Sequence, residues 1–149
     1  MVKDMKKTEH ILGRLIGSSW RSMRKQLSIN IATTGKELSA EQGIILAMLG
    51  HYDKVNQQML TEFVHCEKTA ITRWIDTLES MKLVKRQTDK LDRRQNIIQL
   101  TQRGKKYSSD FIEIGLLTES QALRGIDPKK TEICKEVLKQ IISNLETTS

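Results

Sequence analysis

The chain has 149 residues, with 25 Lys and Arg against 18 Asp and Glu and a formal net charge of +7. That length suits one compact domain; 38% hydrophobic and 29% charged residues exclude a disordered polyelectrolyte, and 4% aromatics with 8 Gly and 1 Pro argue against a β-sandwich. Two cysteines are too few for a disulfide scaffold and no apolar run approaches the ~18 residues of a membrane span, so the chain reads as cytoplasmic and mainly α.

From the N-terminus, Ile11, Leu12, Leu15, Ile16, Trp20, Met23, Leu27 and Ile31 recur mostly three or four apart, the stripe of a long amphipathic helix. Nothing ahead of it forms the unbroken apolar stretch of a signal peptide. Residues 32–36 break the helix. Ser39 or Leu38 opens a second one through residues 44–49, which is apolar nearly all round and therefore buried. Asn56 is a good N-cap for a short third helix over 57–64, and residues 65–67 form a turn. A fourth helix fits 68–81, with Ile71, Trp74, Ile75 and Leu78 on one side. Thr69, Arg73 and Asp76 lie opposite, with Thr72 and Thr77 on the flanks. Two helices joined by a three-residue turn make a helix-turn-helix candidate. The β-branched stretches 83–88 and 96–100 predict a two-stranded hairpin, and its tip carries Lys90, Arg93 and Arg94. A helix-turn-helix followed directly by a basic hairpin is a winged helix. Thr101 then caps a fifth helix containing Tyr107, Phe111, Ile114 and Leu117, and Asp127-Pro128 starts a sixth.

The charge is concentrated. Residues 82–106 hold nine basic and two acidic side chains, a local +7 that equals the net charge of the whole chain. Such a patch is the footprint of a polyanion partner or simply a solvated face. No Cys/His spacing resembles a zinc site, since His10, His51 and His65 are scattered, so no metal or other cofactor is expected. With no nucleophile elbow and no glycine-rich phosphate loop, no catalytic residue is assigned and an enzyme is not expected.

Residues 39–107 resemble the MarR family of bacterial transcriptional regulators, including its SlyA-like branch. The resemblance runs through Leu38-Ser39-Ala40-Glu41-Gln42, Thr72-Arg73-Trp74-Ile75-Asp76-Thr77-Leu78-Glu79 and Leu83-Val84-Lys85-Arg86. It continues in Asp89-Lys90-Leu91-Asp92-Arg93-Arg94 and Gln99-Leu100-Thr101-Gln102-Arg103-Gly104. It implies a mainly α fold with a small β-hairpin, a single domain over 1–149. Residues 39–104 would be the winged helix-turn-helix DNA-binding lobe, with 1–35 and 105–149 a helical dimerisation region. Two positions depart from the family pattern: Lys82 and His65 stand where glycine is frequent. A left-handed conformation at Lys82 would cost roughly 1 kcal/mol.

The resemblance implies a homodimer on double-stranded DNA, repressing from a pseudo-palindromic operator with half-sites about one turn apart. The helix from Lys68 would enter the major groove, with Arg73 as leading base or phosphate reader and Lys68, Thr69 and Thr72 beside it. The plainer reading pairs Arg73 with Asp76 or Thr77 on a wet face. At the wing, Arg93 and Arg94 would meet the minor groove, Asp92 would orient an arginine, and Arg86 and Lys90 would contact phosphate. Family members often bind aromatic or phenolic anions. Trp20, Arg24 and Met48 are candidate effector-lining residues, although helix or dimer packing explains them as well. Cys66 invites a redox-responsive alternative, because Lys68 and the following helix N-terminus could lower its pKa; a buried, inert thiol is the plainer reading. A winged helix that binds protein instead of DNA is the other alternative.

Overall fold

The computed structural model describes residues 11–52, 55–88 and 96–146. Among them the order is α1 (Leu12–Ala32), α2 (Ala40–His51), β1 (Val55–Asn56), α3 (Gln57–Val64), α4 (Lys68–Ser80), β2 (Val84–Thr88), β3 (Asn96–Leu100), α5 (Gln102–Ala122) and α6 (Pro128–Glu146). Chain contacts divide these into two compact units, Met1–Thr118 and Glu119–Ser149.

Within the first unit α2 is the hub. Its start is fixed by a capping box: the Ser39 hydroxyl accepts from the Gln42 N–H at 3.2 Å, and the Gln42 side chain accepts from the Ser39 N–H at 2.9 Å. Because the helix is apolar on nearly every side, it can meet neighbours all round, and it buries Ile45, Leu46, Met48 and Leu49. Leu60 from α3, Ile71, Ile75 and Leu78 from α4, and Val55 and Ile98 from the strands complete this core. Each such side chain contributes about 1.5–3 kcal/mol on burial. A smaller cluster joins Ile31, Ala40, Phe111 and Ile114. Gly43 lets α5 approach there, because a Cβ at that position would strike the Phe111 ring.

The sheet corrects the expected two-stranded hairpin. It has three antiparallel strands in the order β1-β3-β2, with Val55 opposite Ile98 and Asn56 opposite Ile97. A two-residue strand shows no alternation, so it left no trace in the sequence pattern. Asn56 does two jobs: it ends β1, and its side chain accepts from the Met59 N–H at 2.9 Å to cap α3.

The fourth helix ends in a Schellman turn. Lys82 donates its N–H to the Glu79 carbonyl and Leu83 donates to Leu78, both at 2.9 Å, with Lys82 left-handed at φ 58°. Thr101 docks α5 against this turn, its hydroxyl donating to the Lys82 carbonyl and accepting from the Gly104 N–H. Gly104 is required by proximity, since a Cβ would collide with the Leu83 carbonyl.

In the second unit, Asp127 caps α6 by accepting from the Lys129 N–H at 2.8 Å, as the Asp-Pro signal predicted. No residue of α6 is buried; Ile133, Val137, Ile142 and Leu145 stand exposed, Leu145 to 70%. Among the described residues no helix is long and apolar enough to cross a membrane.

Candidate nucleic-acid interface

The helix-turn-helix is built from local signals. His65 closes α3 in a left-handed conformation, φ 51° and ψ 50°, and Cys66 and Glu67 lead into α4. Ile71, Ile75 and Leu78 bury one side of α4, and Trp74 packs at the edge of the same core, as its stripe position suggested. The opposite face presents Lys68, Thr69 and Arg73 to solvent. Glu67 makes no side-chain cap, so first-turn N–H groups of α4 keep free donor capacity.

Thr72 occupies a different place from its neighbours. It is half-buried, accepts a hydrogen bond from the Gln57 side chain and donates to the Lys68 carbonyl at 2.9 Å. Its hydroxyl braces α3 against α4. Gln57, at the start of α3, thereby supplies a side-chain hydrogen bond between the two helices.

The two partners considered for Arg73, Asp76 and Thr77, make other contacts. Thr77 donates its hydroxyl to the Arg73 backbone carbonyl at 3.0 Å, and Asp76 is engaged by Arg86. Among the described residues the Arg73 guanidinium has no ion-pair partner.

Arg86 differs most from expectation. Its guanidinium pairs with both Asp76 and Glu79, and its backbone N–H donates to Glu79 at 3.1 Å. Burial alone would lower its pKa, but the hydrogen bonds it donates to Asp76 and Glu79, with their negative charge, outweigh that and raise it. Through these pairs Arg86 ties β2 to the last turns of α4, with part of its guanidinium still open to solvent. Asp76 and Glu79 were missed as a pair; their i,i+3 spacing on one helix face was the available signal.

The hairpin is in register from Val84 opposite Leu100 to Thr88 opposite Asn96. Lys90, Asp92, Arg93 and Arg94 lie outside the described residues.

The three effector candidates do not converge. Trp20 and Arg24 sit one turn apart on α1; Trp20 is 56% exposed and Arg24 pairs with Glu41. Met48 is only 6% exposed and belongs to the central core. A nearly all-apolar helix does not reveal in sequence which side chains face a core and which face a cavity. None of the three lines the cavity of about 460 Å³ beside Ser28, Ile31, Lys36 and Glu41. Cys66 packs partly buried against the core, and burial, then the negative charges of Glu41 and Glu67, push its thiol pKa up. Cys134 is exposed on α6.

Comparison with known proteins agrees with this architecture. Residues 38–95 match the MarR family profile. The solved structure of the transcriptional regulator PA3341 is 31% identical, covers 91% of this chain and 98% of its own, and superposes with a TM-score of 0.82. A MarR transcriptional regulator from Methanosarcina mazei Go1 is 23% identical over 95% of this chain and 100% of its own, with a TM-score of 0.81. BpsR from Bordetella bronchiseptica, whose DNA binding is regulated by 6-hydroxynicotinic acid, is 17% identical over 90% of this chain and 94% of its own, TM-score 0.78. With the helix-turn-helix, its wing strands and this identity taken together, the chain belongs to the MarR family, whose members are transcriptional regulators and not enzymes.

Proposed function

We propose that the chain is a cytoplasmic, homodimeric regulator that binds a pseudo-palindromic duplex, represses from it, and leaves it when a small organic anion binds. The observation that carries the proposal is the solvent face of α4. Arg73 stands there without an acidic partner among the described residues, beside Lys68 and Thr69. An exposed guanidinium on a helix of this size matches the bidentate acceptors of guanine in the major groove. The α4 N-terminus, with Lys68 on its first turn, suits a phosphate. Residues 39–104 form the DNA-binding lobe in this reading, and 1–35 with 105–149 the dimerisation region.

Thr72 supports the reading indirectly, by holding the helix. Arg93 and Arg94 would enter the minor groove at the wing, Asp92 would orient one of them, and Lys90 would meet phosphate. The dimer follows from apolar surface: the α6 stripe, and Leu12, Leu15 and Trp20 on α1, are unusual exposure for a lone chain. An effector is proposed by analogy with BpsR, whose binding to DNA a hydroxylated aromatic acid regulates.

The test is a duplex titration on fragments selected from genomic DNA. A dimer contacting about 6–10 phosphates should lose on the order of 10³-fold or more in affinity between 50 and 200 mM salt. Arg94→Ala should abolish tight binding while the dimer stays folded. Unchanged affinity in a gel-shift titration would remove the wing from the interface, and no duplex preference at all would leave a protein-interaction module.

A further inference from the structure

The start of α3 meets the flank of α4 through one pair of side chains, Gln57 and Thr72. The Thr72 hydroxyl gives its proton to the Lys68 carbonyl at 2.9 Å, so toward Gln57 its oxygen can only accept. That settles the orientation of the Gln57 amide: the nitrogen faces Thr72, and the carbonyl oxygen faces away.

One of the two amide N–H groups is thus held inside the fold. The other, and the carbonyl oxygen, make no hydrogen bond with the described residues. Both stay open to solvent, because no buried side-chain polar atom among those residues lacks a partner. Gln57 is half-buried and anchored, so much of its side-chain freedom is lost before any ligand arrives. A second bond from the same amide then costs little further ordering. Its neighbours are engaged elsewhere: Gln58 donates to Glu62 at 3.0 Å, and Asn56 caps α3.

Position decides what the open N–H meets. Thr72 adjoins Arg73 on α4 and lies one turn beyond Lys68, beside the solvent face that those two residues share with Thr69. When the second helix of a helix-turn-helix lies in the major groove, the first crosses the sugar–phosphate backbone. Gln57 opens that first helix and is tied to the flank of the second, which puts it at the rim of the groove and not over its floor. The rim carries phosphate oxygens, which accept and do not donate.

We propose that Gln57 bridges the duplex to the reading helix, donating one amide N–H to Thr72 and the other to a phosphate at the rim of the groove. This rests on the DNA-binding function proposed above. It takes Thr72 out of base reading and makes it the anchor of a backbone contact. Such a contact carries no base information, but it fixes the register in which Arg73 meets the base edges. Being neutral, it adds nothing to the salt dependence of binding.

The experiment uses the full chain and a duplex selected from genomic fragments, with the phosphates of one half-site replaced singly by uncharged methylphosphonate. Gln57→Met keeps the side-chain length and removes both N–H groups. It should bind the natural duplex about tenfold more weakly, with an unchanged salt slope. At one position the methylphosphonate should cost wild type severalfold more than it costs Gln57→Met. Gln57→Glu sets a carboxylate against that phosphate, so it should bind more weakly than Gln57→Met, and the gap should close at the same methylphosphonate. The Gln57→Glu series decides the matter if the urea midpoint shows Gln57→Met to be unfolded. If every methylphosphonate costs wild type and variant equally, Gln57 only braces the two helices, and the bridge alone is overturned. If wild type prefers no duplex, the regulator reading falls and the bridge falls with it.

Discussion

Two residues in the winged lobe sit where a Cβ is costly. Lys82 is left-handed at φ 58° and His65 at φ 51°, each at about 1 kcal/mol. Lys82 tolerates this because its turn closes two backbone hydrogen bonds and seats Leu83 against Leu78 in the core. Lys82→Gly should therefore raise stability by roughly 0.5–1 kcal/mol, seen as a higher urea midpoint at unchanged slope. A lower midpoint would mean that the lysine stem decides the position. Cys66 makes a statement about pH. Its thiol pKa is raised by burial and then by Glu41 and Glu67, so the folded chain holds the proton more tightly than the unfolded one. The associated stability is fully present below the ordinary thiol pKa and is lost as pH rises through the raised value. In a Cys134→Ser background, iodoacetamide labelling of Cys66 should stay slow at neutral pH and quicken only above the ordinary thiol range. Rapid labelling at pH 7 would revive the redox alternative.

Among the elements, the join between β2 and α4 matters most for function. Arg86 makes it, through Asp76 and Glu79. All three side chains are partly exposed, so solvent screening limits the pairs to about 1 kcal/mol of stability or less. Their effect is geometric. Arg86→Ala should weaken duplex binding by roughly tenfold with the salt slope unchanged, because no phosphate contact is lost; a slope smaller by about 1 would make Arg86 a phosphate ligand after all. This join could not be read from charge counting, which treats each arginine as a free cation. Its partners lie 7 and 10 residues away, across a turn and a strand. The helix-turn-helix was legible because its information is local: Asn56 as cap, the three-residue turn, and Ile71, Ile75 and Leu78 at helical spacing. The helix start near Ser39 and the Asp127-Pro128 start were legible for the same reason. Met48 stayed open between core and cavity lining because periodicity says that a helix is buried but not what buries it.

At the scale of the whole chain, apolar surface and charge point to assembly and to polyanion respectively. The second unit leaves Ile133, Val137, Ile142 and Leu145 in solvent, more than a lone helix keeps without a partner. Ile133→Asp/Leu145→Asp should convert a dimer to monomer in sedimentation equilibrium, and a persistent dimer would place the interface elsewhere. The +7 of residues 82–106, which equals the chain's net charge, is partly spent inside the fold, because Arg86 is neutralised by α4. Among the described residues of that segment Lys82, Lys85, Arg103, Lys105 and Lys106 face outward, and Arg73 does so on the reading helix. Overall charge therefore points to a polyanion, and the fold decides which cations are left to meet it.

The pairing of β1 with β3 joins Val55 to Ile98, residues roughly 40 positions apart whose contact must wait for the chain between them to close. That intervening chain is α3, α4 and β2. The third strand is therefore a late-forming latch: the sheet cannot be completed before the helix-turn-helix has collapsed, and its loss releases the α3 cap through Asn56. Reading helix and wing strands should then melt as one cooperative block, with amides of Val55 and Ile98 exchanging hydrogen only at the rate of the lobe's global opening.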